Sequence, residues 1–367
     1  MPGRPSPIFG GVLLAGAAAV AFGLTTPVIA LAGAGVGPFT TAALLYAGAA
    51  SISLVTRAFV RRSGAALRGR HVPRLVAVAL FGAVVAPSLL AWGIQRTGAT
   101  TASLVLNLEA VASVLLARLV YRELLGRRVL VAVGVMLAGG VLVTVEAASA
   151  PELELAGALA VVAATVCWAA DNTLTRPLAD LDPAEVVAGK GALGAVTTAA
   201  LAWAAGEPVR DAAAASAVGL LVCGATGYGL SLRLYLLAQR RIGAARTASV
   251  FATGPFVGAA VAWALGDRAG GLLTLAGGLA FALGVVLHAT ERHRHPHTHE
   301  ALEHAHAHRH DDGHHDHAHA PPFAGEHTHR HRHGALEHDH EHAPDLHHGH
   351  GHGRGSSRVH RSRSGVG

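Results

Sequence analysis

The sequence predicts an all-α polytopic membrane protein with ten transmembrane helices, arranged as two five-helix repeats of inverted orientation. Three observations predict it. Of 367 residues, 51% are hydrophobic and only 14% charged. The charged residues cluster between long apolar blocks instead of scattering as they would over a water-facing surface. A short phrase of the first half also returns in the second.

Crossing about 30 Å of hydrocarbon takes roughly 20 apolar residues at about 1.5 Å each. Ten blocks of this kind run in order: Ile8 to Leu31, Pro38 to Val60, Pro73 to Ile94, Ala99 to Leu119, Val129 to Val145, Leu155 to Leu174, Ala184 to Ala205, Ala212 to Ala238, Ala244 to Gly266 and Leu272 to Ala289. The first ends in Ala30-Leu31-Ala32, which has the small-residue pattern of a signal cleavage site. It is long for a signal core and nine further blocks follow, so it reads as a span. Cys167 and Cys223 both lie inside blocks and read as small packing residues, since two such cysteines make no disulfide framework.

Charge sets orientation. Residues 1–290 carry 20 basic and 12 acidic side chains, and residues 291–367 carry 9 and 11. The basic excess therefore sits in short connections between blocks, which removes the main support for nucleic-acid binding. With the N-terminus inside, fifteen arginines from Arg57 to Arg246 fall on cytoplasmic connections and helix ends, against Arg96, Arg210 and Arg268 outside. Both termini are expected in the cytoplasm, with the chain in the cell membrane.

The repeat is visible after the third block, in Gly98-Ala99-Thr100-Thr101-Ala102-Ser103. It returns after the eighth with one residue added, as Gly243-Ala244-Ala245-Arg246-Thr247-Ala248-Ser249. Gly134 and Gly140 are matched by Gly278 and Gly284 at the same spacing. Five helices per half is odd, so the copies enter the bilayer from opposite sides, and the interface between such copies is the usual place for a transport site. The halves are residues 1–145 and 146–290, followed by a tail, 291–367.

Asn107-Leu108-Glu109-Ala110-Val111, then Tyr121-Arg122-Glu123 and a glycine-spaced helix, then Cys167-Trp168-Ala169-Ala170-Asp171-Asn172, and finally Thr253-Gly254-Pro255-Phe256 form a recognisable series. In these phrases the chain resembles the EamA type of the drug/metabolite transporter superfamily, over about residues 8–290. The resemblance implies a secondary-active carrier of small organic molecules, with export as the direction. One departure is Ala110, where the family usually has proline after the glutamate. The broken-helix geometry that a proline brings is therefore expected at Pro255 in the second half and lacks that support in the first.

Ionisable groups inside a span cost a few kcal/mol at the helix centre on insertion scales, so each needs a partner, water or a function. Glu109 lies midway along the fourth block with Ser113 on the same face, while Asn107 points largely the other way. Two readings stand for Glu109: a protonatable coupling or substrate group, and a buried carboxyl held by a hydroxyl or amide of a neighbouring helix. Asp171 and Asn172 come late in the sixth block, with Thr175 on the face of Asp171. They read either as a cytoplasmic gate lining the path, or as an interfacial cap in which Asp171 pairs with Arg176 or Lys190. Lys190 either snorkels to the cytoplasmic surface or pairs internally with Glu109 or Asp171. Tyr228, among Gly224, Gly227 and Gly229, offers a hydroxyl to a cavity or belongs to an aromatic belt. Trp92 and Trp168 share that ambiguity.

Enzyme signatures are missing: there is no Walker-type loop and no His-Glu-x-x-His helix. The chain is read as a non-enzyme that needs no cofactor.

The tail holds 24 of the 26 histidines. His299-Glu300-Ala301-Leu302-Glu303-His304, with His306 and His308, returns 34 residues later as His333-Gly334-Ala335-Leu336-Glu337-His338, with His340 and His342. His314 recurs as His348. Having almost nothing apolar to bury, the tail is expected to be disordered. These ten histidines are its expected metal ligands, because neutral imidazole suits Zn, Ni, Co and Cu.

The sequence thus reads as a carrier of small organic metabolites working by alternating access, with Asn107, Glu109, Asp171, Asn172, Lys190 and Tyr228 lining or gating the path. Its partners are the lipid bilayer, a small-molecule substrate, divalent metal ions at the tail and, as an arrangement left open, a second copy in a homodimer. Two competing readings are a divalent-metal efflux carrier and a metal-responsive membrane sensor that transports nothing.

Overall fold

Apolar stretches of span length, bounded by glycine, proline and charge, fold as helices because lipid leaves backbone groups no partner outside their own segment. A computed structural model of the chain describes residues 7–59, 65–121, 126–149, 152–178, 181–207, 213–242, 244–268 and 270–289, and the tail segments 294–299, 303–308, 327–332 and 336–341. Among the described residues, nine helices are long and apolar enough to cross a membrane: α1 (Phe9–Ala32), α2 (Pro38–Phe59), α3 (Gly69–Thr97), α4 (Ala99–Tyr121), α5 (Arg127–Ala148), α6 (Glu154–Leu178), α7 (Pro183–Ala204), α8 (Ala214–Gln239) and α9 (Thr247–Ala264). A tenth apolar helix, α10 (Leu272–His288), is shorter. Each of the ten expected blocks thus holds a helix, nine of them of span length.

Local sequence explains where these helices start and bend. Asp182 caps α7, its carboxylate accepting from the Ala184 N–H at 2.9 Å, and Pro183 sits at the first helical position, where a missing N–H costs nothing. In α1 the helix is interrupted at Leu24, and Pro27 withholds the N–H that the Gly23 carbonyl would otherwise receive. α3 and α8, third in their respective halves, each contain a π-helical turn, over Leu80–Val85 and Gly224–Leu230. Such turns leave backbone carbonyls without a regular partner and often mark functional sites.

α4 and α9 are both broken. In α9 the break at Ala252 and Thr253 precedes Pro255, as expected. The break in α4, at Leu106 and Asn107, forms without a proline and corrects the expectation for the first half. Side chains supply the cause: the Asn107 amide donates to the Leu104 carbonyl at 3.0 Å, and the Thr253 hydroxyl donates to the Val250 carbonyl at 2.7 Å. In each case a polar side chain competes for the carbonyl three residues back and tightens the turn.

The main helix contacts join the two halves. α2 packs on α7, α5 on α10, α3 on α6, α1 on α8, and α4 on both α6 and α9. Glycine makes the closest of these possible. A Cβ on Gly139 would stand 2.8 Å from the Gly277 carbonyl, and one on Gly277 would stand 2.8 Å from the Gly139 carbonyl. A Cβ on Gly224 would overlap the Leu45 carbonyl, and one on Gly48 the Leu221 carbonyl. Without a hydrophobic drive between helices in lipid, this backbone-to-backbone packing is what holds them. Ile29, Leu45, Leu90 and Phe281 are fully buried, whereas Phe59, Leu119, Trp203 and Leu272 are more than 70% exposed. An apolar surface of that kind suits lipid as its solvent.

The chain divides into residues 1–291 and 292–367. In the second unit the described residues form four strands, β1 (Arg294–His299), β2 (Glu303–His308), β3 (His327–Arg332) and β4 (Leu336–Glu341). β1 pairs antiparallel with β4, setting His297 opposite His338, and β2 pairs with β3, setting His306 opposite His329. Composition alone predicts disorder here. Two-stranded ladders of this size carry little stability of their own.

Candidate functional site

The π-turn of α3 and the absence of a side chain at Gly82 create the centre of the site. The Gly82 carbonyl accepts from the Tyr46 hydroxyl of α2 and, at 3.1 Å, from the Trp168 indole of α6. On the other side of Gly82, a Cβ would run into the Asp171 carboxylate and the Lys190 ammonium. That space holds a salt bridge between Asp171 of α6 and Lys190 of α7, with side-chain exposures of 4% and 14%. The Thr175 hydroxyl donates to the second Asp171 oxygen at 3.3 Å. Burying two charged groups is costly, and here their mutual attraction and the Thr175 hydroxyl on Asp171 offset that cost.

Asn172, the next residue, turns to a different helix. Its amide donates to the Glu109 carboxylate at 2.8 Å, linking α6 to α4 just past the α4 break. Glu109 is half-buried and lies within electrostatic reach of both Asp171 and Lys190. Two carboxylates and one ammonium thus share one region, in which α3 packs against both α6 and α7 and leaves room at Gly82 for the pair between them.

An aromatic cluster adjoins these charges. Tyr228 of the α8 π-turn lies 5.5 Å from Tyr46, 6.2 Å from Phe22 and 6.3 Å from Trp168, centroid to centroid. Phe22 also meets Trp168 at 6.5 Å and Phe251 at 5.2 Å, and Tyr235 meets Phe251 at 5.0 Å. These separations fall in the range of favourable edge and offset ring contacts. Among the described residues the buried Tyr228 hydroxyl makes no hydrogen bond of good geometry, its polar neighbour being the Thr25 side chain, and the Asn107 carbonyl oxygen and the Ser103 hydroxyl have no partner. A buried hydroxyl left without a partner costs about 1–3 kcal/mol, so each calls for a ligand or a water.

Five of the six residues expected along the path meet here: Glu109, Asp171, Asn172, Lys190 and Tyr228. Asn107 stands at the α4 break, its amide N–H held by its own helix and its buried carbonyl oxygen without a partner among the described residues. Of the partners weighed for Lys190, the structure takes Asp171. Arg176, the other partner weighed for Asp171, lies over the Tyr121 ring at 4.5 Å. Glu109 is held by an amide of a neighbouring helix, which the bland reading of this residue described and the functional reading does not forbid.

Sequence reasoning missed Tyr46, Gly82, Phe22 and Phe251. Tyr46 carried a signal, since a tyrosine in the middle of an apolar block needs a hydroxyl partner. Gly82 carried none, because a π-turn has no pattern of its own. Of the expected tail ligands, His314, His333, His342 and His348 lie outside the described residues, while His299, His304, His306, His308, His338 and His340 fall on strands whose side chains lie outside the description. Glu123 also lies outside it.

Comparisons with known proteins agree with this architecture. A solved structure described only as "Crystal structure of protein" matches with a TM-score of 0.54 and 19% identity, over 78% of this chain and 99% of its own, a likeness in fold. No curated protein matches. The family model described as the EamA-like transporter family matches twice, over residues 9–145 and 155–290, one copy on each side of the boundary read from the sequence. The chain, a multi-pass membrane protein of two such repeats, belongs to the EamA-like transporter family.

Proposed function

We propose that this membrane transporter is a secondary-active carrier that exports a small organic metabolite by alternating access between two inverted five-helix halves. The observation that carries the reading is the shared site of the Asp171–Lys190 pair, Glu109 and the aromatic cluster, built from helices of both halves and including a buried tyrosine hydroxyl without a hydrogen bond of good geometry. Rings of this kind cover an apolar or planar body, and paired charges orient polar ends, which is the make-up of a small-molecule site. Support for the inverted relation comes from the helix pairs. Exchanging each helix with its counterpart five places on returns the pairs α2/α7, α4/α9 and α5/α10 to themselves and converts α3/α6 into α1/α8.

In this reading Glu109 takes and releases the proton or meets the substrate, and Asn172 orients it. Asp171 and Lys190, both of the second half, form the polar wall. Tyr228 donates its hydroxyl to the substrate. Asn107 shapes the α4 break, as Thr253 shapes that of α9. Both termini and the histidine tail face the cytoplasm, and the tail binds divalent metal without supplying the cargo.

The test is an extracellular metabolite profile of cells overproducing the intact chain, set against cells overproducing Lys190→Met at equal membrane abundance. A small organic compound enriched outside only the former is expected. No organic difference, with a selective change in Zn, Ni or Co tolerance, would overturn the reading in favour of metal efflux.

A further inference from the structure

One end of the bundle is fastened twice by the same device. α7 ends at Ala204 and α9 at Ala264, and each is followed by a glycine in the left-handed region, Gly206 (φ 73°) or Gly266 (φ 99°), and then by an acid, Glu207 or Asp267. Both turns close alike. The Glu207 N–H reaches back to the Ala202 carbonyl and the Asp267 N–H to the Ala262 carbonyl, at 2.6 and 3.1 Å, each five residues back. Only glycine takes the required backbone conformation without strain.

The turn aims each acid at the N-terminus of a helix in the other half. One Glu207 carboxylate oxygen accepts from the Phe39 and Thr40 N–H groups of α2 at 3.2 and 3.4 Å, and the Thr40 hydroxyl donates back to the Glu207 carbonyl at 2.7 Å. One Asp267 oxygen accepts from the Ala99 and Thr100 N–H groups of α4 at 2.5 and 2.9 Å, and the Thr100 hydroxyl donates to the Asp267 carbonyl at 2.9 Å. The first turn of each helix thus receives its cap from the other repeat, and both caps are charge-assisted. Gly37 leaves the space for the Glu207 carboxylate, which a Cβ there would overlap.

The geometry points to Glu207 and Asp267 as the two clamps of a gate, which close this end of the path and release α2 and α4 together when it opens. It rests on the reading of alternating access, in which this end faces outward. A path between α2 and α7 or between α4 and α9 cannot widen here without breaking the three hydrogen bonds of the clamp that joins that pair. The far end of the α2/α7 pair is tied differently. There Glu185 of α7 accepts from the Leu67 N–H at 2.7 Å and pairs with Arg57 of α2 at 3.2 Å, so the two ends can open at different times.

A buried thiol reports the gate without any substrate. Ser103 of α4, fully buried one turn below Thr100, is replaced by Ser103→Cys in a full-length chain that also carries Cys167→Ser and Cys223→Ser. A membrane-impermeant maleimide is applied to right-side-out and inside-out vesicles. Adding Glu207→Gln and Asp267→Asn together should raise labelling at least fivefold from one side only, and either change alone should raise it less. Hydrogen exchange should accelerate at residues 39–41 and 99–101 and stay unchanged through α6, which separates local release from unfolding. Unchanged labelling in the single and double variants would overturn the clamps. Faster labelling from the cytoplasmic side would keep them and overturn the orientation, and faster labelling in a chain that exports nothing would keep them and overturn the transport reading.

Discussion

Lys190 of α7 closes on Asp171 of α6 in the space that Gly82 leaves at the widened turn of α3. Both side chains are largely buried, so removing one partner strands the other. Asp171→Asn should destabilise the protein by about 3–5 kcal/mol, and the double change Asp171→Asn with Lys190→Met should recover most of that loss. Thermal unfolding of the parent and of these two variants in detergent measures both. A single variant as stable as the parent would show that the pair is not buried in solution.

Gly224 packs against the Leu45 backbone so closely that no Cβ fits. Gly224→Ala should cost about 1–3 kcal/mol through displacement of α8 from α2. Gly16, with open space around its Cβ position, is the control: Gly16→Ala should leave the melting temperature unchanged or raised.

Tyr228→Phe deletes a hydroxyl that makes no hydrogen bond of good geometry among the described residues. Stability should stay level or increase, because a buried polar atom is removed. Substrate affinity should fall about 2- to 13-fold, the worth of one hydrogen bond of about 0.5–1.5 kcal/mol. Equilibrium binding of the exported compound to the purified variant checks this, and an unchanged affinity would remove Tyr228 from the site.

Glu109→Gln keeps an acceptor for Asn172 and loses the titratable proton. Exchange of substrate across the membrane should persist while accumulation driven by a proton gradient stops. Measuring both with the same vesicles separates a coupling role from a structural one, since a structural role would reduce both alike.

Metal binding by the tail should follow imidazole protonation. Ligating histidines must be neutral, so Ni or Zn affinity is fully present above about pH 6.5 and declines as pH falls through that value. Calorimetry of the intact chain and of a chain lacking residues 293–367 should show the strong sites only in the former. Export should survive the deletion.

Much of the fold was legible because lipid imposes a single rule on every span, and each of the ten blocks holds a helix. The break in α4 was not, because its cause is the Asn107 side chain taking the Leu104 carbonyl, and an asparagine in an apolar run does not announce which carbonyl it will take. The site was partly legible. Glu109, Asp171 and Lys190 stand out wherever charge is scarce, and their pairing is decided by which helices approach, a tertiary fact. Tyr46 and Gly82 join them only through the π-turn. The clamps had a sequence trace that is readable in hindsight, Trp203-Ala204-Ala205-Gly206-Glu207 beside Trp263-Ala264-Leu265-Gly266-Asp267, a helix end, a turn and an acid repeated.

The most direct test of the central claim uses purified chain in proteoliposomes loaded with a cell metabolite extract, with the escaping compounds identified by mass spectrometry. A small organic molecule should leave vesicles holding the intact chain, and its release should drop at least tenfold with Lys190→Met. Release of divalent metal alone, or of nothing above empty vesicles, would contradict the account.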